Sequence, residues 1–445
     1  MTPAIVAIIG RTNVGKSTLL NRLAGKRLAV IADLPSTTRD RIFAPISCQG
    51  QALTIVDTGG WQAKPSTSLD EKVKQQAEAA IEQADVIIFL VDAHDGAIAA
   101  DEEIADILRA ANKPAVLTVN KIDSDKQATQ IADFHRLGLG MPVAISAYHN
   151  RGIDKLMTTV LAFLPSSPTP ATEPEGAKLA IVGRPNVGKS TLLNALLGDE
   201  RAIVHEIPGT TRDTLDAALQ WDDRKLLLID TAGIKRRGRI APGIEFYSLI
   251  RTLQAINRCD VALLLVDAAE FITAQDMHIA GYIIEAGKGM VLLVNKWDLV
   301  PQMHRQEFKQ QVEQRLRFMS YVPILYISAT SKQGINRILP QAWQIWQERQ
   351  ERLPKSAIDT VIKQAISSHA PPRRGFKQLR IVRAYQDKSR PSTFVVQVND
   401  PQLVHFSYHR YLENKLRHSF GFHGIPLQLV FTKAARKSDK KIGVT

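Results

Sequence analysis

The chain has 445 residues, too many for one hydrophobic core and suited to two or three domains. Its 44% apolar content is ordinary for a globular protein, and no apolar run approaches the ~20 residues of a spanning helix, which argues against a helical membrane protein. The net charge of +13 is uneven: residues 351–445 hold 18 Lys and Arg against 6 Asp and Glu, a local +12, while the first 350 residues are nearly neutral, so a polyanionic partner is expected for the last fifth of the chain.

In chain order, PAIVAIIG is a short apolar run without a basic flank, and it reads as a buried strand rather than a signal peptide. It feeds GRTNVGKS at Gly10–Ser17, the pattern of a phosphate-binding loop. Such a loop works because its glycines let backbone N–H groups approach phosphate oxygens at the positive end of the next helix. Gly10, Arg11, Thr12, Asn13, Val14, Gly15, Lys16, Ser17 and Thr18 are therefore candidate phosphate ligands. Lys16 would neutralise the β- and γ-phosphates, and Ser17 would hold Mg²⁺ through its hydroxyl. TTRD follows at Thr37–Asp40, where Thr38 can close on the same metal only when the γ-phosphate is present. LTIVD ends a strand at Asp57, and the loop Asp57, Thr58, Gly59 and Gly60 brings a carboxylate near the metal and backbone N–H groups near the γ-phosphate. Loss of that phosphate would release both loops, an order–disorder switch.

VIIFLVD and AVLTVN continue the alternation of apolar runs with amphipathic stretches, and NKID at Asn120–Asp123 follows directly. An ionised carboxylate only accepts hydrogen bonds, and guanine offers N1–H and an amine side by side. Adenine presents an acceptor there, so Asp123 selects GTP over ATP by leaving a charge unpaired against the wrong base. Asn120 and Lys121 join this reading, and after PVAIS the backbone N–H groups at Ser146 and Ala147 are expected to meet guanine O6.

The Pro-rich stretch Leu164–Ala177 then breaks the pattern and reads as a semi-extended linker over 165–177, spanning at most ~40 Å. Beyond it everything returns. GRPNVGKS, TTRD and DTAG recur at a constant offset of 173 residues, the mark of a duplicated domain. The second set of phosphate ligands is Gly183, Arg184, Pro185, Asn186, Val187, Gly188, Lys189, Ser190 and Thr191, with Asp230, Thr231, Ala232 and Gly233. Ser190, Thr211 and Asp230 repeat the Mg²⁺ set of Ser17, Thr38 and Asp57. NKWD supplies Asn295, Lys296 and Asp298, and Ser328 with Ala329 repeats the downstream pair. Lys16, Thr38, Gly60, Lys189, Thr211 and Gly233 are the catalytic candidates from these motifs. Continuous apolar strands between amphipathic helices predict two doubly wound, mostly parallel α/β sheets, with ligands at the strand C-terminal ends.

From about residue 353 the grammar changes. A helix over 356–368, paired strands KQLRIVRAY and STFVVQVN, a basic helix SYHRYLENKLRHSF and a last strand IPLQLVF predict a small α+β domain with a three-stranded sheet. Its RNA-contact candidates are Arg373, Arg374, Lys377, Arg380, Arg383, Arg410, Lys415 and Arg417, with the tail Lys433–Lys441 adding non-specific phosphate affinity. Phe406, Tyr408 and Tyr411 are available for stacking, though core packing is their commoner use. Cys48 and Cys259 give no disulfide framework or metal cluster, which fits a reducing cytoplasm. His94, His135 and His278 lie at no motif.

These motifs, twice over and followed by a basic α+β domain, resemble the Der (also called EngA) family of tandem-domain bacterial GTPases. The resemblance covers essentially the whole chain. It implies two P-loop GTPase domains (1–164 and 178–352), a KH-like domain (353–445), GTP/GDP and Mg²⁺ as ligands, and assembly of the large ribosomal subunit through contact with its RNA, in a monomer. It also implies that Asn13 and Asn186 help to bind K⁺ near the β/γ bridge and so belong among the catalytic candidates. A K⁺ there would matter because Trp61 and Ile234 stand where Ras-like enzymes carry a water-positioning Gln. GFHG at Gly421–Gly424 matches the KH backbone clamp in letters, but it lies between a helix and the last strand and reads as a turn. The switch loop of the second repeat continues into the basic run Lys235–Arg239, while the first does not, which points to different roles for the two domains. Two other readings stay open: an RNA-binding assembly factor in which one site only binds nucleotide, and a relative of tRNA-modification GTPases.

Overall fold

The computed structural model describes residues 4–24, 43–49, 51–58, 77–123, 125–164, 176–198, 202–206, 216–231, 244–374, 377–387 and 391–434. It divides into two compact units, Met1–Glu175 with Ala232–Arg258, and Gly176–Thr231 with Cys259–Thr445.

In the first unit, six strands run β1 (Ala4–Ile9), β2 (Phe43–Cys48), β3 (Gln51–Asp57), β4 (Val86–Asp92), β5 (Ala115–Asn120) and β6 (Val143–Ala144). They assemble in the order β2-β3-β1-β4-β5-β6, all parallel except the hairpin of β2 with β3. β4 is buried along its whole length, as expected of a strand covered on both faces. One face of the sheet, carrying Val6, Ile8, Ile88 and Leu90, joins a single core cluster with Leu19 and Leu20 of helix α1 (Lys16–Ala24) and with Leu156 and Val160. Each such side chain contributes about 2 kcal/mol on burial. Helix α2 (Ala99–Ala111) follows β4, and α3 (Ile153–Phe163) follows β6. α5 (Ile244–Arg258), from the second repeat, falls within this unit by its contacts.

The second unit repeats the plan with β7 (Ala177–Val182), β8 (Ala202–Glu206), β9 (Ala217–Trp221), β10 (Arg224–Ile229), β11 (Val261–Asp267), β12 (Gly289–Asn295) and β13 (Ile324–Tyr326) in the order β13-β12-β11-β7-β10-β9-β8. Helix α4 (Lys189–Leu197) follows β7 and α6 (Ala274–Glu285) follows β11. Even the entry to the sheet is repeated: the Ile5 amide donates to Asp85 at 2.7 Å and the Lys178 amide to Asp260 at 3.1 Å. Helices α7 (Arg305–Arg315) and α8 (Ile338–Gln350) complete this sheet's surroundings.

The C-terminal domain has α9 (Lys355–Ser368), α10 (Phe406–Phe420) and a three-stranded sheet of β16 (Ile381–Gln386), β17 (Thr393–Val398) and β18 (Gln428–Lys433). β16 is antiparallel and β18 parallel to the central β17. A two-residue ladder of β14 (Arg373–Arg374) with β15 (Lys377–Gln378) was not anticipated from the pattern. GFHG is indeed a turn: Gly421 caps α10 at φ 85°, and the turn leads into β18. That turn docks on the second GTPase domain. The Met290 amide donates to the Gly424 carbonyl and the Gly424 amide donates to the Tyr321 carbonyl, both at 2.7 Å. Arg417 holds the turn from within, donating to the carbonyls of Phe422 and Ile425 and lying 3.9 Å from the Tyr321 ring centroid. Among the described residues, no helix is long and apolar enough to cross a membrane.

Candidate active sites

Each phosphate loop leaves the end of a central buried strand and turns into a helix. Asn13 and Asn186 adopt left-handed backbone at φ 66° and 65°, a conformation asparagine tolerates better than most residues, so the backbone alone accounts for asparagine here. Gly15 (φ 98°) and Gly188 (φ 101°) are held tightly: a Cβ at either would stand 2.5 or 2.4 Å from the amide nitrogen of Asn120 or Asn295. Those two asparagines tie the guanine loop to the phosphate loop. Asn120 Nδ2 donates to the Val14 carbonyl and Asn295 Nδ2 to the Val187 carbonyl, both at 2.8 Å. Their Oδ1 atoms accept from the Ala147 and Ala329 amides at 3.0 and 2.9 Å. A guanine O6 at those amides would therefore share a donor already engaged.

Lys16 Nζ donates to the carbonyls of Gly10 (3.0 Å) and Arg11 (2.8 Å), and Lys189 Nζ to those of Gly183 (2.8 Å) and Arg184 (2.6 Å). Burial pushes both ammonium groups down to about 8, with the Asp57 charge opposing the shift at Lys16 and Arg184 adding to it at Lys189. An amine that is costly to keep charged in isolation is poised for a polyanion. At the first site Ser17 Oγ donates to Asp57 Oδ2 at 2.7 Å, and burial raises the Asp57 carboxyl, opposed by Ser17 and Lys16. Asp57 Oδ1 is buried with no hydrogen-bond partner. A buried, unsatisfied carboxylate oxygen beside a serine hydroxyl fits Mg²⁺, and the residues present suit that ion. Thr58 is fixed by its hydroxyl, which donates to the Ile8 carbonyl at 2.9 Å. The second site differs. Asp230 lies just past β10 in left-handed backbone at φ 58°, and its amide donates to Asp216 Oδ1 at 3.0 Å.

Thr12, Thr18 and Pro185 are exposed and Thr191 half-buried around these loops, and Thr231 is buried. Ser190 lies at the start of α4, as Ser17 does in α1. Thr38, Gly59, Gly60, Thr211, Ala232 and Gly233, with Trp61, Ile234 and the Lys235–Arg239 run, lie outside the described residues.

Several residues at the sites were not singled out in advance. Asp92 and Asp267, the last residues of β4 and β11, pair with Lys121 and Lys296 of the two NKxD motifs, the second at 2.5 Å. The signal was present, because VIIFLVD and VALLLVD end alike. The side chains of Arg11 and Arg184, both counted among the phosphate-loop residues, are each paired with two carboxylates. Arg11 bonds Asp95 (2.9 Å) and the fully buried Asp101 (3.2 Å); Arg184 bonds Glu270 (2.7 Å) and Asp276 (2.9 Å). Ser146 Oγ donates to Asp123 at 2.7 Å, fixing the carboxylate that the sequence singles out as the guanine reader.

Of the basic candidates in the C-terminal domain, Arg373, Lys377, Arg380, Arg383, Arg410 and Lys415 are exposed. Arg383 bonds Gln397 (2.7 Å), Arg410 lies over Phe406 and Lys415 over Tyr411. Arg417 is turned inward on the GFHG turn, as described. The Arg374 side chain and the tail beyond Ala434 lie outside the described residues. Tyr408 is buried and Tyr411 donates to the Ala365 carbonyl at 2.8 Å, so packing claims both, while Phe406 is 53% exposed.

Two phosphate loops, each bonded to an NKxD asparagine and each folding a lysine back onto its own carbonyls, define a tandem P-loop GTPase with a KH-like domain. A family profile described as "50S ribosome-binding GTPase" matches residues 5–121 and 178–296, and one described as "KH-domain-like of EngA bacterial GTPase enzymes, C-terminal" matches 352–432. Proteins named GTPase Der are similar throughout: that of Chloroflexus aggregans is 45% identical over 99% of this chain and 100% of its own, and that of Herpetosiphon aurantiacus 46% over 100% and 99%. The chain belongs to the GTPase Der family. With the GTPase domain matched twice in its own sequence, it hydrolyses GTP. Among solved structures it is similar to Era in complex with MgGDPNP and a segment of 16S ribosomal RNA, at 21% identity over 59% of this chain and 94% of that one, with a TM-score of 0.30 that adds nothing to the assignment.

Proposed function

We propose that this GTPase works as a two-site switch in late assembly and stability of the large (50S) ribosomal subunit, binding ribosomal RNA in a nucleotide-dependent way. One observation supports it above the rest: two separately folded guanine-nucleotide sites share a chain with a KH-like domain in the region carrying a local charge of +12. In this reading the protein is a cytoplasmic, ribosome-associated monomer. Water attacks the γ-phosphate in line, slowly in the free protein and faster on the ribosomal particle. Lys16 and Lys189 neutralise the phosphates, Asp123 and Asp298 select guanine, and Ser17 with Asp57, and Ser190 with Asp230, hold Mg²⁺, joined by Thr38 and Thr211. Mg²⁺, when bound, supplies charge neutralisation at the β- and γ-oxygens. Asn13 and Asn186 would help to hold K⁺, which would supply positive charge near the β/γ bridge where the glutamine is missing. The exposed Arg373, Lys377, Arg380, Arg383, Arg410 and Lys415 contact RNA phosphates.

Co-sedimentation with purified large subunits at fixed salt tests this. Binding that requires a non-hydrolysable GTP analogue is expected, and binding indifferent to nucleotide would sink the switch. Hydrolysis equally fast in Na⁺ and K⁺ would remove K⁺ from the mechanism. A second reading, in which one site only binds, draws on the left-handed Asp230 that sets the second site apart from the first. Turnover by chains carrying Lys16→Ala or Lys189→Ala separates the two readings.

A further inference from the structure

The two sites are near-copies, which makes their differences informative. In both, the guanine loop closes through the same bonds. Ser146 bridges Arg151 as Ser328 bridges Gln333, and the His149 and Ser331 amides donate to Ser146 Oγ and Ser328 Oγ, each at 3.2 Å. Around this shared frame the cations differ: at the second site Arg305 holds the NKxD turn, donating to the Trp297 and Val300 carbonyls at 3.4 and 3.3 Å, whereas at the first site the strap comes from the helix that follows the phosphate loop. Arg22 on α1 reaches the loop 125 residues away, Nε donating to the Ala147 carbonyl at 3.0 Å and Nη2 to the Tyr148 carbonyl at 2.5 Å. Arg151 Nη1 donates to the Asp123 carbonyl, and His149 lies 4.0 Å from the Asp123 carboxylate. At the matching places the second site has Ala195, Gln333 and Ser331. α1 begins at Lys16, so Arg22 ties the helix behind the phosphates to the loop beside the base. A nucleotide held at both ends leaves when those two parts separate, and here that separation breaks two charge-assisted hydrogen bonds.

We propose that Arg22 is a positioning residue for the guanine loop of the first site, and that through it this site releases guanine nucleotide more slowly than the second. The inference rests on reading Asn120–Asp123 and Ser146–Ala147 as the guanine-binding elements. Each net hydrogen bond of this kind, at an exposed arginine, corresponds to a few-fold in rate, so about a fivefold to tenfold difference is expected.

The test uses the full chain with fluorescent mant-GDP and stopped-flow release. Asp298→Asn confines guanine binding to the first site and Asp123→Asn confines it to the second, because each removes the acceptor guanine needs. Arg22→Ala in the first background should speed release by about fivefold to tenfold while kcat at saturating GTP stays within twofold, and Arg22→Lys should recover part of the loss. Ala195→Arg in the second background should slow release, a gain that no general loss of stability can produce. Unchanged release in both Arg22→Ala and Ala195→Arg overturns the inference alone. Retention of mant-GDP by a chain carrying both Asp123→Asn and Asp298→Asn overturns the guanine reading and the inference with it.

Discussion

Gly15 and Gly188 show how little freedom a phosphate loop has. A methyl at either position meets the asparagine amide that ties the guanine loop down, and the positive φ adds strain for any L side chain. Gly15→Ala should therefore abolish measurable nucleotide binding at the first site and leave the second intact, and Gly188→Ala the reverse, as equilibrium dialysis would show; unaltered binding would contradict the geometry. The paired lysines give a pH signature. Burial lowers both from the ordinary 10.5 to about 8, so the folded chain disfavours their charged form. That penalty on stability is fully present below about pH 8 and is relieved as pH rises toward 10.5. A bound triphosphate reverses the preference and recharges the amine. Calorimetry at pH 8.5 in two buffers of different ionisation enthalpy should show proton uptake on binding, up to about three-quarters of a proton per site for a pKa of about 8, with affinity falling as pH rises above 8. Zero uptake would mean that the lysines stay charged without ligand.

Helix α6 begins with a reciprocal cap: Thr273 Oγ1 accepts from the Asp276 amide, and Asp276 Oδ2 accepts from the Thr273 amide and hydroxyl. The other oxygen of Asp276 takes Arg184, so one buried carboxylate both starts a helix and anchors the phosphate loop. Asp276→Ala removes the helix cap and leaves the nearly buried Arg184 guanidinium with the exposed Glu270 only, and should cost about 3 kcal/mol in urea unfolding of the full chain; a loss below ~1 kcal/mol would show that the pair is dispensable. Elements of this kind were only partly legible in the sequence. Most parallel strands were plain because they lie in short continuous apolar runs such as VIIFLV and VALLLV, and the ligand motifs because two copies kept register. β8 and β9 escaped notice because Ala217–Trp221 alternates buried and exposed positions with Gln220 outward, a half-covered antiparallel strand rather than an apolar run. The clamp of Arg184 on Asp276 joins residues 92 apart, and nothing local in either stretch announces it.

At the scale of the molecule, the pattern change near residue 353 marks a new domain, yet its turn is built into the second GTPase domain. A Cβ on Gly424 would stand 2.5 Å from Ile345 Cδ1 and 2.8 Å from the Met290 carbonyl, with φ at 69°. Gly424→Val should lower the thermal midpoint of the full chain by several degrees, about 2–3 kcal/mol, and raise protease cleavage between α8 and α9. An unchanged midpoint would show that the turn is not a fixed joint. Arg417→Ala should act in the same direction by releasing the carbonyls of Phe422 and Ile425.

The Met290–Gly424 bond also bears on how the chain can be divided. β12 pairs with β13 only from Leu292 onward, and Gly424 satisfies the amide that precedes that pairing. A fragment ending at Arg352 would be left with an open notch at the root of the strand that ends in Asn295, filled by water in place of the turn. The smallest self-sufficient piece of the second half therefore runs past the apparent boundary and through β18, and a fragment designed on sequence pattern alone would cut through a structural seam.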